Sequence, residues 1–137
     1  MEMMLHVAPC QQSIFFIDQV MVNYTELYSI PNAQEICFVT HELIINAVEA
    51  MNKANRQEDI QLHILWHDAQ IQITVTDFAE GIPPEEWQSI IEPNLEEMSF
   101  SDRGRGFFFI AHMVDQLWFE QLATSQFLVG IKKSLFD

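Results

Sequence analysis

The most regular pattern of apolar positions lies between residues 32 and 53, in the stretch NAQEICFVTHELIINAVEAMNK. A set of mostly apolar residues recurs there at helical spacing and shares one face: Ile36, Thr40, Leu43, Ile44, Ala47, Val48 and Met51. The spacing predicts a helix over 32–53, with Asn32 as its N-cap. A shorter pattern of the same kind predicts another helix over 11–28.

Alternating or continuous apolar residues predict strands in three parts of the chain. Residues 1–8 form a first such run, which ends before a proline. Between 59 and 77 the alternation occurs twice around the sequence HDAQ, which predicts two strands joined by a turn. The apolar positions of these two strands are Ile60, Leu62, Ile64, Ile71, Ile73 and Val75. Two closing strands are predicted near 117–123 and 126–133.

Two short helices and one polar segment complete the predicted elements. The sequence IPPEEW begins a helix with acidic residues in its first turn. Residues 92–103 lack apolar periodicity and predict a loop, and a further helix is predicted over 105–116. We see no repeat or linker, so residues 1–137 are expected to form a single domain. Because strands and helices mix without strict alternation, the pattern predicts an α+β two-layer sandwich.

Composition and charge narrow the classes of function. The chain has 20 acidic and 6 basic residues, and its formal net charge is −14. A general nucleic-acid binder needs a basic face, so we expect no direct contact with nucleic acid. The 2 cysteines are too few for a disulfide framework. No signal peptide begins the chain and no apolar run has membrane-spanning length, which predicts a cytoplasmic protein without a membrane anchor.

Glu42 and Asn46 lie on the polar side of the helix predicted over 32–53. They are one turn apart, so both side chains can reach a single point beside the helix. A carboxylate and an amide oxygen can orient a hydroxyl and hold Mg²⁺. Taken alone, however, these two residues are explained more simply as part of a solvent-exposed polar face. The HE pair at 41–42 lacks the second histidine of a zinc-protease motif, because position 45 is isoleucine.

Two further segments have side chains suited to ligand binding. Asp77 is predicted to end a strand, where it could accept a hydrogen bond from an amine, and Gly81 would let a flat ring approach the backbone. An ordinary turn explains these two residues as well. The tetrapeptide RGRG, residues 103–106, opens the helix predicted after it. A helix N-terminus with glycines and arginines favours anion binding.

In this order and spacing, the segments HELIINAVEAMNK, VTDFAEGIP and DRGRGFFFIAHMVD resemble the GHKL ATPases, whose nucleotide-binding fold is shared by histidine kinases and gyrase. Within that superfamily, residues 30–135 look like the anti-sigma-factor serine kinases. The resemblance implies a Bergerat-type ATP-binding fold, in which helices lie on one face of a mixed sheet. It also implies ATP and Mg²⁺ as ligands.

The resemblance assigns a role to each of the three segments. Glu42 would be the general base and Asn46 a ligand of Mg²⁺. Asp77 would accept a hydrogen bond from the adenine amino group, and Gly81 would pack beside the base. Residues 92–103 would be the ATP lid. The loop after the lid would contact the phosphates through Gly104, Arg105 and Gly106.

The chain departs from the family pattern at three positions. The first glycine of the adenine-binding motif is Ala79 here, and Glu49 and Ala50 stand where relatives often have a basic residue. Arg103 and Arg105 are the only basic residues of the second half of the chain before its last predicted strand. We therefore expect Arg105 to supply the positive charge that a triphosphate needs, whereas Arg103 fits either the phosphates or a solvent-facing place in the lid.

Three functions are compatible with these residues. The leading hypothesis is an anti-sigma-factor-like serine/threonine protein kinase. It would phosphorylate a hydroxyl of an anti-anti-sigma (STAS-type) protein and sequester a sigma factor. The second is a nucleotide-dependent partner-switching module without kinase activity, and the third is the ATP-binding domain of a histidine kinase. The family resemblance also implies a homodimer.

Overall fold

The structure is a computed structural model that describes residues 1–92, 107–122 and 125–136. Within those ranges the elements follow in the order β1 (Glu2–Val7), α1 (Gln11–Leu27), α2 (Ala33–Lys53), β2 (Ile60–His67), β3 (Gln70–Asp77), α3 (Pro84–Ile91), α4 (Phe108–Met113), β4 (Gln116–Leu122) and β5 (Gln126–Ser134). The five predicted strands and the helices predicted over 11–28 and 32–53 are confirmed, with ends that differ by a few residues.

The five strands form one sheet in the order β1-β2-β3-β5-β4, and every neighbouring pair is antiparallel. The α+β architecture is therefore confirmed, but the mixed sheet that the resemblance implied is wrong for the described strands. Two of the strand pairs, β2–β3 and β4–β5, are joined by only a few residues, and such short connections permit only antiparallel pairing. Asp68 has a φ of 53° in the first of these turns, a left-handed conformation that Asp tolerates.

The helices cover one face of the sheet. The side chains on that face come from alternate positions of the three central strands and are all buried: Ile60, Leu62, Ile64, Ile71, Ile73, Val75, Phe127, Val129 and Ile131. On the other face, β2 and β3 present Gln61, His63 and Gln72, which are partly exposed. This contrast confirms that helices lie on one face. Across the described ranges, no helix combines the length and the apolar character that a membrane span requires.

Helix α2 packs against both α1 and β3. Every residue of its predicted apolar face is buried, and the hydroxyl of Thr40 donates to the carbonyl of Ile36 at 2.8 Å, which satisfies the one polar group on that face. Asn32 occupies the N-cap position, as predicted, but its side chain does not cap the helix. Its φ is 58°, and its Nδ2 donates to the carbonyl of Leu135 at 3.3 Å. A capping side chain needs an extended backbone to reach the first helical N–H groups, which Asn32 does not have.

Helix α4 ends earlier than the helix predicted over 105–116, and the start of that predicted helix lies outside the described residues. Val114 is already extended, with φ −118° and ψ 158°, and β4 begins at Gln116. The N–H of Asp115 donates to the carbonyl of Lys132 on β5 at 2.9 Å. Pairing with β5 therefore takes these residues out of the helix. Local apolar periodicity does not reveal such a long-range competitor.

Lys133 on β5 joins three elements. Its Nζ donates to the carbonyl of Met113 at the end of α4 at 2.7 Å, and it lies 2.7 Å from Oε2 of Glu35 in the first turn of α2. The Lys133 side chain is only 12% exposed. The last carbonyls of a helix have no partner within the helix, so a cation at this place satisfies one of them. One lysine thus connects the start of α2, the end of α4 and β5.

Replacing Lys133 by methionine is expected to lower the free energy of unfolding by about 1.5–3 kcal/mol, because a charge-assisted hydrogen bond is lost while the aliphatic chain is kept. Lys132→Met is the matched control. The Nζ of Lys132 lies 5.9 Å from the centre of the Trp118 ring, an interaction worth about 0.5–1 kcal/mol when exposed. Urea denaturation measures both variants. Equal losses of stability would contradict the connecting role of Lys133.

Candidate functional site

The C-terminal half of α2 lies against the end of β3. The N–H of Phe78, which directly follows β3, donates to Sδ of Met51 at 3.2 Å, and Met51 is completely buried. At 1.5 Å per residue, Asn46 lies about 7.5 Å from Met51 along the helix axis, and Glu42 lies about 6 Å further. Both side chains are half-buried. Of these two residues, Asn46 therefore lies nearer to the contact between α2 and the end of β3, where Asp77 is.

Asp77 ends β3, as predicted from the sequence, and it is only 1% exposed. Its Oδ1 accepts the backbone N–H of Ala79 at 3.0 Å, which closes an Asx-turn. The turn explanation of this residue is thus correct. A carboxylate can accept about four hydrogen bonds, so this turn does not exhaust the capacity of Asp77. A buried carboxylate is stabilised by every donor that reaches it, because burial has removed its hydration.

Ala79 occupies the place of a glycine in the family pattern. The residue is 6% exposed, and its N–H is held by Asp77. Its φ does not lie in the left-handed region, so the backbone here does not require glycine. The methyl group is accommodated inside the turn, and this departure from the family pattern leaves the turn intact.

Gly81 lies against an aromatic ring of the protein itself. A β carbon built on Gly81 would lie 2.3 Å from Cδ1 and 2.7 Å from Cγ of Phe127. No described glycine has a positive φ, so position 81 needs glycine because of space and not because of a special backbone angle. The sequence suggested that a flat ligand ring approaches the backbone at Gly81. The structure adds a second reason for this glycine, which the sequence pattern did not indicate.

Four aromatic side chains form a cluster beside the turn that follows β3; they are Trp87, Phe107, Phe119 and Phe127. The rings of Phe119 and Phe127 are stacked with centroids 5.9 Å apart. Trp87 lies 5.9 Å from Phe119, and Phe107 meets Phe119 edge-on at 5.2 Å. The indole N–H of Trp87 donates to the carbonyl of Ile82 at 2.8 Å. Sequence reasoning missed this aromatic cluster, because each ring comes from a different part of the chain.

The predicted phosphate-binding loop lies outside the described residues. Residues 93–106 include Arg103, Gly104, Arg105 and Gly106, together with most of the segment predicted as a lid. Their roles therefore stay predictions. The structure describes the residues that flank this segment. On its N-terminal side α3 ends at Ile91, and on its C-terminal side Phe107 is completely buried just before α4.

Glu42 and Asn46 have the donor chemistry to share a hydrated cation with a phosphate group. Both are oxygen donors, one charged and one neutral, on the same side of α2. Among the described residues, no group of three or more His, Cys, Asp and Glu side chains is arranged to hold a metal ion. A divalent ion beside α2 would thus take most of its ligands from water and from a bound phosphate. Mg²⁺ is usually held in this way, so the residues fit Mg²⁺ bound together with a nucleotide.

Two substitutions at Asp77 separate its turn bond from its charge. Asp77→Asn should keep most of the stability, because an amide oxygen can still accept the N–H of Ala79. Asp77→Ala should lower the free energy of unfolding by about 1–3 kcal/mol more than Asp77→Asn, because the buried N–H of Ala79 is left without a partner. Urea denaturation of the two variants measures this difference. If both lose the same stability, the Asx-turn does not hold the end of β3.

Comparison with known proteins gives a family match that spans most of the chain. The family model of the histidine kinase-like ATPase domain matches residues 18–126, a range that contains α2, β3 and the turn after β3. No curated protein sequence matches the chain significantly.

Among solved structures, the chain is similar to the catalytic domain of the histidine kinase ThkA in three nucleotide-free forms. The first form has a TM-score of 0.54 at 14% identity, over 98% of this chain and 96% of that domain. The other two have TM-scores of 0.55 and 0.54, each at 14% identity, over 98% and 97% of this chain and 97% and 98% of that domain. At this identity the likeness shows the fold alone.

Proposed function

This chain belongs to the histidine kinase-like ATPase domain family, and we propose that it binds Mg-ATP beside α2 at the end of β3. The observation that supports the proposal best is the buried carboxylate of Asp77, which ends β3 where the strand meets the C-terminal half of α2. The hydrogen bond between Phe78 and Met51 keeps these two elements in contact. Asp77, which would bind the base, and the residues of α2 that would bind the phosphates can therefore act on one nucleotide.

On the base side, Asp77 accepts a hydrogen bond from the exocyclic amino group of adenine, and the backbone around Gly81 lies along the ring. The carboxylate is an acceptor only, so it suits the amine donor of adenine. Guanine has a carbonyl oxygen in place of this amine, and two acceptors would face each other. The site therefore prefers adenine to guanine.

On the phosphate side, Asn46 contributes its amide oxygen to Mg²⁺, and Arg105 places a positive charge at the phosphates. Glu42 lies one helical turn before Asn46 on α2 and takes the proton of an attacking hydroxyl. Bound Mg-ATP supplies the transferable phosphoryl group. The tasks of the protein are to position the hydroxyl, to accept its proton and to stabilise charge on the phosphoryl oxygens.

The hydroxyl belongs, in this proposal, to a serine or threonine of an anti-anti-sigma (STAS-type) partner, and the chain also sequesters a sigma factor as a homodimer. The support for this substrate is the resemblance of residues 30–135 to anti-sigma-factor serine kinases. The net charge of −14 suits a protein partner with a basic surface.

A nucleotide-dependent partner-switching module without phosphoryl transfer is the second candidate. Glu49 is exposed on α2, close to Asn46, and places a negative charge where relatives often have a basic residue. Ala50 adds no positive charge. Weaker attraction of the phosphates favours a domain that binds a nucleotide and changes partners but turns over slowly or not at all.

Glu42→Gln separates these two functions, because glutamine keeps the size of the side chain but accepts no proton. Nucleotide binding should stay within about twofold of the original chain, whereas phosphoryl transfer should fall by roughly 10²–10⁴-fold. Glu26→Gln, an exposed change near the end of α1, is the control and should leave transfer unchanged. The assay follows labelled γ-phosphate to a co-purified STAS-type protein.

The chemical stability of the label identifies the class of kinase. An acid-stable label on the partner indicates a serine or threonine, as proposed. An acid-labile label indicates phosphohistidine and would place the chain with the histidine kinases in activity as well as in fold. Binding of ATP and partner without any transfer would reject the kinase and support the partner-switching module.

A further inference from the structure

The ring of Phe127 occupies the space that a side chain at position 81 would need. Phe127 is completely buried on β5, and its Cα pairs with that of Asp77 across the sheet. The three nearest atoms to a β carbon on Gly81 all belong to this ring, at 2.3–2.8 Å. Contacts this short do not occur between real atoms, so the backbone at Gly81 rests directly on Phe127.

Trp87 holds the next residue of the same turn. Its indole N–H donates to the carbonyl of Ile82 at 2.8 Å, and its ring lies 6.4 Å from that of Phe127. Asp77 fixes the start of the turn through the N–H of Ala79. The turn is thus fixed at three places, and two of these contacts come from side chains of the aromatic cluster.

From this packing we propose that Phe127 is a positioning residue for the base side of the nucleotide site. Its ring sets how closely the backbone at Gly81 approaches the sheet, and so sets the distance between that backbone and a base bound to Asp77. The inference rests on the proposed nucleotide site. In the role that the family resemblance gives to Gly81, the bound base requires the glycine. In this proposal the ring of Phe127 requires it.

The chain has a second crowded glycine that serves as a matched control. A β carbon on Gly130 would lie 2.3 Å from Cε2 of Trp118, the same shortest distance as at Gly81. Gly130 pairs with Thr74, on the sheet face that the helices do not cover. An alanine at Gly130 therefore creates a comparable clash with an aromatic ring, away from the end of β3.

The experiment compares Gly81→Ala, Gly130→Ala, Phe127→Leu and the double variant Gly81→Ala/Phe127→Leu. Calorimetry gives the affinity of each for Mg-ADP, and urea denaturation gives its stability. Gly81→Ala should weaken Mg-ADP by about tenfold or more, and Gly130→Ala by less than about twofold, although both lose stability. The double variant should bind Mg-ADP within about threefold of Phe127→Leu, because leucine makes room for the added methyl group.

Two results would overturn the proposal. The first is an unchanged affinity of Gly81→Ala for Mg-ADP. The second is a loss of Mg-ADP affinity that is as large in the double variant as in Gly81→Ala, which would mean that the base itself needs the glycine. The stability measurements do not depend on nucleotide. If the original chain fails to bind Mg-ADP, the proposed function fails. The packing of Phe127 on Gly81 can still be tested in that case, because Phe127→Leu should relieve the loss of stability that Gly81→Ala causes.

Discussion

The buried face of α2 is the constraint on which the other parts of this structure depend. Its apolar residues pack on one side against α1 and on the other against β3, and each fully buried aliphatic side chain contributes about 1.5–3 kcal/mol. The last of them, Met51, accepts the N–H of Phe78. The same packing that stabilises the core therefore places the C-terminal half of α2 against the end of β3, where Asp77 is buried.

Charge imposes the second constraint. With 20 acidic and 6 basic residues, the protein has few cations to offer a triphosphate. The four Lys and Arg side chains of the described residues, which include Lys53, have partners already. The guanidinium of Arg56 hydrogen-bonds the carboxylate of Glu58 and lowers its pKa to about 2, Lys133 is bound by Glu35, and Lys132 lies over a tryptophan ring. This is why the proposed function depends on Arg105 for positive charge near the phosphates.

Much of the fold follows from local patterns, and so do the places of Glu42, Asn46 and Asp77. Helical and alternating periodicity depend on neighbours in the sequence, which is why α2 and the hairpin of β2 and β3 are predicted well. The predicted end of α4 is wrong, because these residues pair with the distant strand β5. Asn32 is the N-cap of α2 as predicted, but its side chain bonds Leu135 after β5 and does not cap the helix. The antiparallel pairing of β3 with β5 and the contact of Phe127 with Gly81 also join distant segments, and no periodicity indicates them.

Calorimetric titration of Mg-ADP and Mg-GDP into the chain tests most directly whether α2 and the end of β3 form an adenine-nucleotide site. We expect saturable binding of Mg-ADP with a Kd below about 1 mM, which corresponds to roughly 4 kcal/mol. Mg-GDP should bind at least about tenfold more weakly, because its carbonyl oxygen faces the carboxylate of Asp77. Asp77→Asn should remove that preference while the protein stays folded. A folded chain that binds neither nucleotide at millimolar concentration, or that binds both equally, would contradict the account.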